Sequence, residues 1–240
     1  GQDDKNPDVY IFQIYQSGTG LPDRDMYLIE NDKFDGIRKA YKDYLAQMLT
    51  LAGEKNAVAR ADAIFAMEKK IAVVQWTRED SSDATKTYNK MSLQQLDAIT
   101  PGLKMSPILA KLSPKISDVI VSQPSALTGI TKIYAETDLS VLKDQMLVNS
   151  LSTFSNVLPD SVADTTFAFY GTTLQGTPQR EPRWKRGVGL TEGTVGDEVG
   201  KAYAAKYFPP ETKAAMDVLV KNVLAAMGRR IDNLAWMQPE

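Results

Sequence analysis

The chain holds 240 residues, with 28 Lys and Arg against 30 Asp and Glu, a formal net charge of −2. That balance gives no electrostatic footprint for nucleic acid, and 43% hydrophobic with 24% charged residues excludes a disordered chain while allowing one or two domains. Neither Cys nor His occurs, which excludes disulfides, iron–sulfur clusters, the usual zinc ligand sets and any nucleophile activated through an imidazole.

What remains open is carboxylate, Lys or Tyr acid–base chemistry, Mg²⁺ or Ca²⁺ binding, or no chemistry at all. The lack of Cys fits a reduced cytoplasm and equally an exported bacterial protein that avoids thiols. No stretch approaches the ~18 apolar residues that span a bilayer. The first residues, Gly1 to Asp8, are polar and acidic, unlike a signal peptide, and lack an initiator Met, so the start reads as a processed end.

In chain order, Val9 to Tyr15 is rich in β-branched and aromatic residues and predicts one strand, ended by the turn chemistry of Ser17-Gly18-Thr19-Gly20. From about Asn31 the pattern is helical: Phe34, Ile37, Tyr41, Leu45 and Met48 recur at spacings of three and four, and Gly53 stops the run. A second helix carries Ile64, Met67, Ile71 and Val74 on one face. Ser92-Leu93-Gln94-Gln95 forms a capping box, and Ser106-Pro107 opens a short helix. Ile116 to Val121 reads as a short strand or an extended crossing.

Pro124 starts a helix to about Ala135, and Asp138 caps a longer one carrying Leu139, Leu142, Met146 and Leu147. Glycines at 171, 176, 187, 189, 193, 196 and 200, with Pro178 and Pro182, predict an irregular or loosely helical connection. After Pro209-Pro210, the residues Met216, Leu219, Val220, Val223, Leu224, Met227, Ile231 and Leu234 form the clearest amphipathic stripe of the chain. The methionines at 48, 67, 146, 216 and 227 lie on such stripes and are expected in the core.

Three segments invite a chemical reading. Gly187 to Gly193 has G-x-G-x-x-x-G spacing, one residue too long for a dinucleotide loop, with no strand leading in. Asp23-Arg24-Asp25 pairs two carboxylates around a cation, but lacks the further oxygens a metal needs; capping of backbone amides with pairing to Arg24 is the structural reading. Arg180 to Arg186 is the densest basic cluster, best read as a helix start with Arg stems over Trp184. No catalytic, cofactor-binding or metal-ligating residue is assigned.

Taken together, the segments resemble a known family. Gly20-Leu21-Pro22-Asp23-Arg24-Asp25-Met26-Tyr27-Leu28, preceded by Gln13-Ile14-Tyr15-Gln16, resembles the GLPDRDYYL passage of the neprilysin and endothelin-converting-enzyme zinc metallopeptidases. Ile71 to Glu79, Tyr88-Asn89-Lys90-Met91, Phe169-Tyr170-Gly171, Arg183-Trp184-Lys185-Arg186, Val199 to Pro209 and Arg230 to Met237 follow in the family's order.

The resemblance implies a mostly α fold: a multi-helix lobe with a short extended N-terminal arm and a Gly-rich crossover before the last long helix. It implies an arm over 1–30, a helical cap lobe over 31–170, the crossover over 171–208, and a long helix over 209–240 leading to a catalytic domain not in this chain. The family's HExxH zinc site lies beyond the Trp236-Met237 segment, so the cofactor expectation is none in this chain and zinc in the parent protein.

The implied parent is a zinc endopeptidase acting on short peptides, with this lobe gating and size-limiting access. The expected partners are the catalytic lobe of the same polypeptide and short peptide substrates, with no nucleic acid and no membrane contact. Gly187 stands where vertebrate members carry a Cys, which points to a bacterial member outside the cytoplasm, periplasmic or lipid-anchored. The rival expectation is a free-standing helical peptide- or protein-binding module; a His-free enzyme using Asp23 and Asp25 is a third.

Overall fold

The computed structural model describes residues 1–236; Met237 of the Trp-Met match and the end at Glu240 lie outside the described residues. The chain divides into two compact units, Gly1–Arg180 and a second that begins at Glu181.

The first unit opens with three strands, β1 (Gln2–Asp3), β2 (Asn6–Tyr10) and β3 (Phe12–Ile14). The single strand expected over Val9 to Tyr15 is broken at Ile11 because its halves serve different sheets. β2 pairs antiparallel with β1, whereas β3 runs parallel to β5 (Asp118–Val121), Phe12 opposite Val119 and Ile14 opposite Val121. β4 (Lys90–Ser92) covers the other edge of β5, antiparallel. The Ile116–Val121 segment thus holds a strand from Asp118 onward, and its Val119, Ile120 and Val121 are buried as a central strand requires.

Helices make up the rest. α1 (Asp25–Leu28), α2 (Asp32–Leu51) and α3 (Ala57–Val74) come first. Asn31 caps α2 by accepting the Phe34 amide at 2.8 Å, and Gly53 takes φ +81° just beyond its end, the stop that glycine makes possible. The α2 face buries Ile37, Tyr41, Tyr44, Leu45, Met48 and Leu49, each worth about 1.5–3 kcal/mol of removed apolar surface. α4 (Arg78–Ser82), α5 (Ala84–Thr87), α6 (Leu93–Ile99) and α7 (Ser106–Leu112) follow. The capping box at Ser92 and Gln95 is present with both of its reciprocal bonds.

α8 (Pro124–Glu136), α9 (Leu139–Thr153), α10 (Asp160–Thr166) and a π-helix (Phe167–Leu174) complete the unit. Asp138 precedes α9 without a side-chain cap bond, contrary to its expected role. α9 also turns a different face inward than expected. Asp144, Gln145 and Val148 are buried, while Met146 is 68% exposed, because polar partners on α3 select that face.

The second unit contains α11 (Arg183–Tyr207) and α12 (Pro210–Asp232). Of the two alternatives for the Gly-rich connection, irregular or loosely helical, the helical one holds over Arg183–Tyr207, with a break at Val195, where φ is −134° and ψ 31°. Glycine disfavours a helix by only about 0.5–1 kcal/mol per position, so five glycines weaken α11 without abolishing it. The α12 stripe falls where the spacing predicts, but Met216, Leu219, Val220, Val223, Leu224, Met227 and Ile231 are all exposed. Met216 and Met227, like Met146, are thus not core residues in this chain, whereas Met48 and Met67 are.

An ion pair between the buried Asp3 and the half-exposed Lys90 ties the N-terminal strands to the mixed sheet. Asp3 accepts from the Lys90 ammonium at 2.9 Å, the Tyr88 hydroxyl at 2.8 Å and the Lys5 amide at 3.0 Å. The Lys90 bond foremost, then those from Lys5 and Tyr88, hold the Asp3 carboxyl at about 2, below its ordinary 3.8. A carboxyl lowered on folding stabilises the native state above its unfolded value and loses that contribution as pH falls toward the folded one. Comparing thermal midpoints at about pH 6 and about pH 2.5, native protein should therefore exceed Asp3→Asn by a margin that shrinks in acid. A margin that is constant or grows contradicts this.

Candidate functional site

On α3, Ile64 and Ile71 are fully buried, and Glu68 stands four residues after one and three before the other, on the same face. Its side chain enters the core and is 1% exposed. A carboxylate so placed is tolerated only when hydrogen-bonded. Oε2 accepts from the Tyr27 hydroxyl of α1 at 2.7 Å and the Tyr41 hydroxyl of α2 at 2.9 Å. Oε1 accepts from Gln145 Nε2 of α9 at 3.0 Å, and the Gly20 amide donates as well.

Burial pushes the Glu68 carboxyl above its ordinary value, and the donors from Gln145, Tyr27, Tyr41 and Gly20 oppose that rise. Burial first, and then the charge of Glu68, hold the Tyr27 and Tyr41 phenols well above their usual range. Both therefore remain protonated donors.

The same groups hold the loop from Gly18 to Leu21. Tyr27 Oη accepts the Leu21 amide at 2.9 Å, Gln145 Nε2 also donates to the Gly18 carbonyl at 3.2 Å, and the Tyr170 hydroxyl donates to the Gly20 carbonyl at 3.1 Å. A Cβ at Gly20 would lie 1.9 Å from Tyr41 Oη, so only glycine permits this approach. Phe169 supports Tyr41 from the π-helix, with ring centroids 5.3 Å apart, and stacks on Tyr44 at 5.2 Å.

The outer side of the loop forms one wall of a cleft of about 400 Å³, and Gln75 to Arg78 with Ser81 form the other. Gln16 joins the walls: its Nε2 donates to the Trp76 carbonyl at 3.1 Å and its Oε1 accepts the Trp76 amide at 2.7 Å. The indole N–H of Trp76 donates to Ser125 Oγ at 2.7 Å, which fixes the ring.

Asp23 Oδ1 caps the Asp25 amide at 2.9 Å, and its Oδ2 pairs with Arg78 at 2.7 Å. Asp25 lies 3.5 Å from Arg24. The pair is thus capping and ion-pairing hardware, except that Asp23 takes Arg78 as its cation rather than Arg24.

Gly187 to Gly193 lies inside α11 and forms no phosphate loop. The basic cluster divides between the units. Arg180 pairs with Asp160 and Asp164 at 2.8 and 2.6 Å, while at the helix start the Lys185 ammonium sits 5.8 Å from the Trp184 ring centre. Glu68 was missed by the motif reading. The signal that marks it is a lone acidic residue inside an otherwise apolar helical stripe.

Sequence and structure comparisons agree with this architecture. The N-terminal-region model of peptidase family M13 matches residues 1–240. An endothelin-converting enzyme homolog of Locusta migratoria is 28% identical over 100% of this chain and 35% of its own length. Neprilysin-3 of Drosophila melanogaster is 25% identical over 100% and 32%.

Among solved structures, the zinc metalloprotease ZMP1 of Mycobacterium tuberculosis in complex with an inhibitor superimposes with a TM-score of 0.84 at 30% identity, covering 100% of this chain and 36% of that one. The fold and these matches define a helical N-terminal-region lobe of a metallopeptidase. The chain belongs to peptidase family M13, and it spans about a third of the length of the relatives it matches. Zinc does not fit the donors present: the sequence has no His or Cys, and among the described residues no three acidic side chains gather to hold a metal.

Replacing Glu68 by Gln turns one acceptor into a donor facing donors, which should cost about 1–3 kcal/mol at neutral pH. Because folding raises the Glu68 carboxyl above its ordinary 4.5, its contribution is fullest below that value and declines as pH rises through the folded one. The stability gap between native and Glu68→Gln, read by urea unfolding, should narrow with rising pH; a widening gap contradicts the assignment. Gly20→Ala should cost about 1–3 kcal/mol by forcing Tyr41 off the carboxylate, and a neutral result would show that the loop is not pinned.

Proposed function

We propose that this chain is the non-catalytic cap lobe of a zinc metalloendopeptidase that cleaves short peptides. In this reading the lobe gates and size-limits access to an active site in another part of the same polypeptide. The observation that carries it is the full-length match to the family's N-terminal region by a chain with no zinc donor set and about a third of its relatives' length.

The second unit supports the reading. α12 exposes a continuous apolar face, larger in extent than a solvated helix tolerates without a partner. On α11, Gly189 and Gly193 before the break and Gly196 and Gly200 after it have open space where a side chain would stand, which permits close approach of another element. Enclosing the reaction would exclude water and commit the substrate, and the hydrolytic chemistry would be supplied by a metal-activated water held elsewhere.

No helix of the described residues is long and apolar enough to cross a membrane. We assign the parent to a bacterium and to the space outside the cytoplasm by its family and its Cys-free composition.

The 240-residue chain alone should bind no stoichiometric zinc and cleave no peptide. The full polypeptide should hold zinc and cleave short peptides, with kcat/KM falling steeply as substrate length grows. Placing Asp at Val220 and Leu224 in the full polypeptide should impair cleavage while leaving its zinc content unchanged. Peptide cleavage by the isolated chain, or equal rates on short peptides and folded proteins, would overturn the cap reading.

A further inference from the structure

β3 lies at the end of its sheet, next to β5 on one side only. Backbone groups of successive residues in a strand point to opposite edges, and the even residues of β3 serve β5. Ser122 donates its amide to the Ile14 carbonyl at 2.9 Å, and the parallel register sets Phe12 opposite Val119. The N–H and C=O of Gln13 and Tyr15 therefore point the other way, where no partner meets them among the described residues. Phe12 and Tyr15 are also exposed here. An open edge with apolar side chains is a template for pairing that folded proteins cover.

The direction of β1 selects what covers it. Ile11 donates its amide to the Gly1 carbonyl at 2.9 Å, and the Gly1 nitrogen donates to the Ile11 carbonyl at 3.1 Å. Such an exchange is the closely spaced pair of an antiparallel ladder. Ile11 presents its backbone groups to the same edge as Gln13 and Tyr15. Continued past Gly1, the ladder brings the second residue before Gly1 opposite Gln13 and the fourth opposite Tyr15.

The side chains follow the same line. Gln13 Nε2 donates to the Gln2 carbonyl at 3.2 Å, and a Cβ at Gly1 would lie 2.7 Å from Gln13 Oε1. Gln13 thus lies across Gly1, which places the start of β1 beside β3 as well as β2. A strand covalently joined to Gly1 is delivered to the edge at a high effective concentration, which a second copy or a free peptide does not match.

We propose that in the parent polypeptide the chain entering Gly1 runs antiparallel along β3 and completes a four-stranded sheet in the order entering strand, β3, β5, β4. In that register the residue immediately before Gly1 stands opposite Phe12. Phe12 shares a face with Ile14, which packs on the cluster of Leu96, Val119 and Val121, so an apolar side chain is expected opposite it. The inference rests on the chain being one part of a longer polypeptide, not on what that polypeptide cleaves.

The test is amide hydrogen exchange, corrected for intrinsic rates, in the full polypeptide and in the 240-residue chain. Gln13 and Tyr15 should exchange at least about tenfold more slowly in the full polypeptide, while Ile14, which faces β5, should change little. Proline at the second residue before Gly1 removes the N–H that meets the Gln13 carbonyl, and should return Gln13 to its rate in the 240-residue chain. Proline immediately before Gly1, where the N–H points away from β3, should leave most of the protection in place.

Equal rates in the two proteins, equal effects of the two prolines, or protection in the 240-residue chain that grows with its concentration, the sign of a second copy on the edge, would each overturn the proposal. Failure of the cap reading in the full polypeptide would leave the exchange pattern intact.

Discussion

One buried charge organises the first unit. Glu68 sits in the core at 1% exposure, and a carboxylate there is tolerable only while donors surround it. Those donors come from Tyr27 of α1, Tyr41 of α2, Gln145 of α9 and the Gly20 amide. Satisfying one charge therefore fixes the relative placement of three helices and a loop. The cost of each unmade bond makes the arrangement specific: a shift that frees Tyr41 takes one of the two hydroxyl donors from Glu68 Oε2. Arg60 works beside it, donating from α3 to the buried Asp144 of α9 at 2.7 Å, one helical turn before Val148.

Several of the segments that resemble the metallopeptidase family contribute to this network or to the strands and cleft of the same unit. Gly20, Leu21 and Tyr27 lie in the first of them, and Tyr170 of the Phe-Tyr-Gly segment reaches the Gly20 carbonyl. Trp76 forms a wall of the cleft that the loop borders. Tyr88 and Lys90 of the Tyr-Asn-Lys-Met segment both bind Asp3, while Asn89 donates to the Val121 carbonyl at 3.1 Å. In these segments the side chains position backbone. This agrees with a chain that lacks the residues for zinc chemistry and matches only the N-terminal region of its family.

Local signals are legible in the sequence where the cause is local. The helix start near Asn31, the Ser92–Gln95 box and the Pro124 helix start each have a local cause, a side chain bonding its own neighbourhood at Asn31 and Ser92 and a ring that presets φ at Pro124. Tertiary causes were not legible. The break at Ile11 exists because β2 and β3 join different sheets, which no property of Val9 to Tyr15 announces. The inward face of α9 is chosen by Arg60 and Glu68, far away in sequence. Glycine density leaves α11 open between an irregular and a loosely helical connection because propensity counts residues one at a time, whereas 25 residues propagate a helix through a break at Val195. Glu68 itself was visible as a charge within an apolar stripe, but only its partners explain it.

Amide hydrogen exchange at Gly20 and Leu21 tests most directly whether the loop is pinned by the buried carboxylate. Both lie outside regular secondary structure, where amides ordinarily exchange fast, yet both donate into the core, to Glu68 and to Tyr27 Oη. Protection close to that of Leu45 and Ile71 in the helices is the predicted result, since opening the loop would bare the Glu68 charge. Exchange at the rate of the neighbouring Thr19 amide would contradict it and would leave the cleft without a fixed wall.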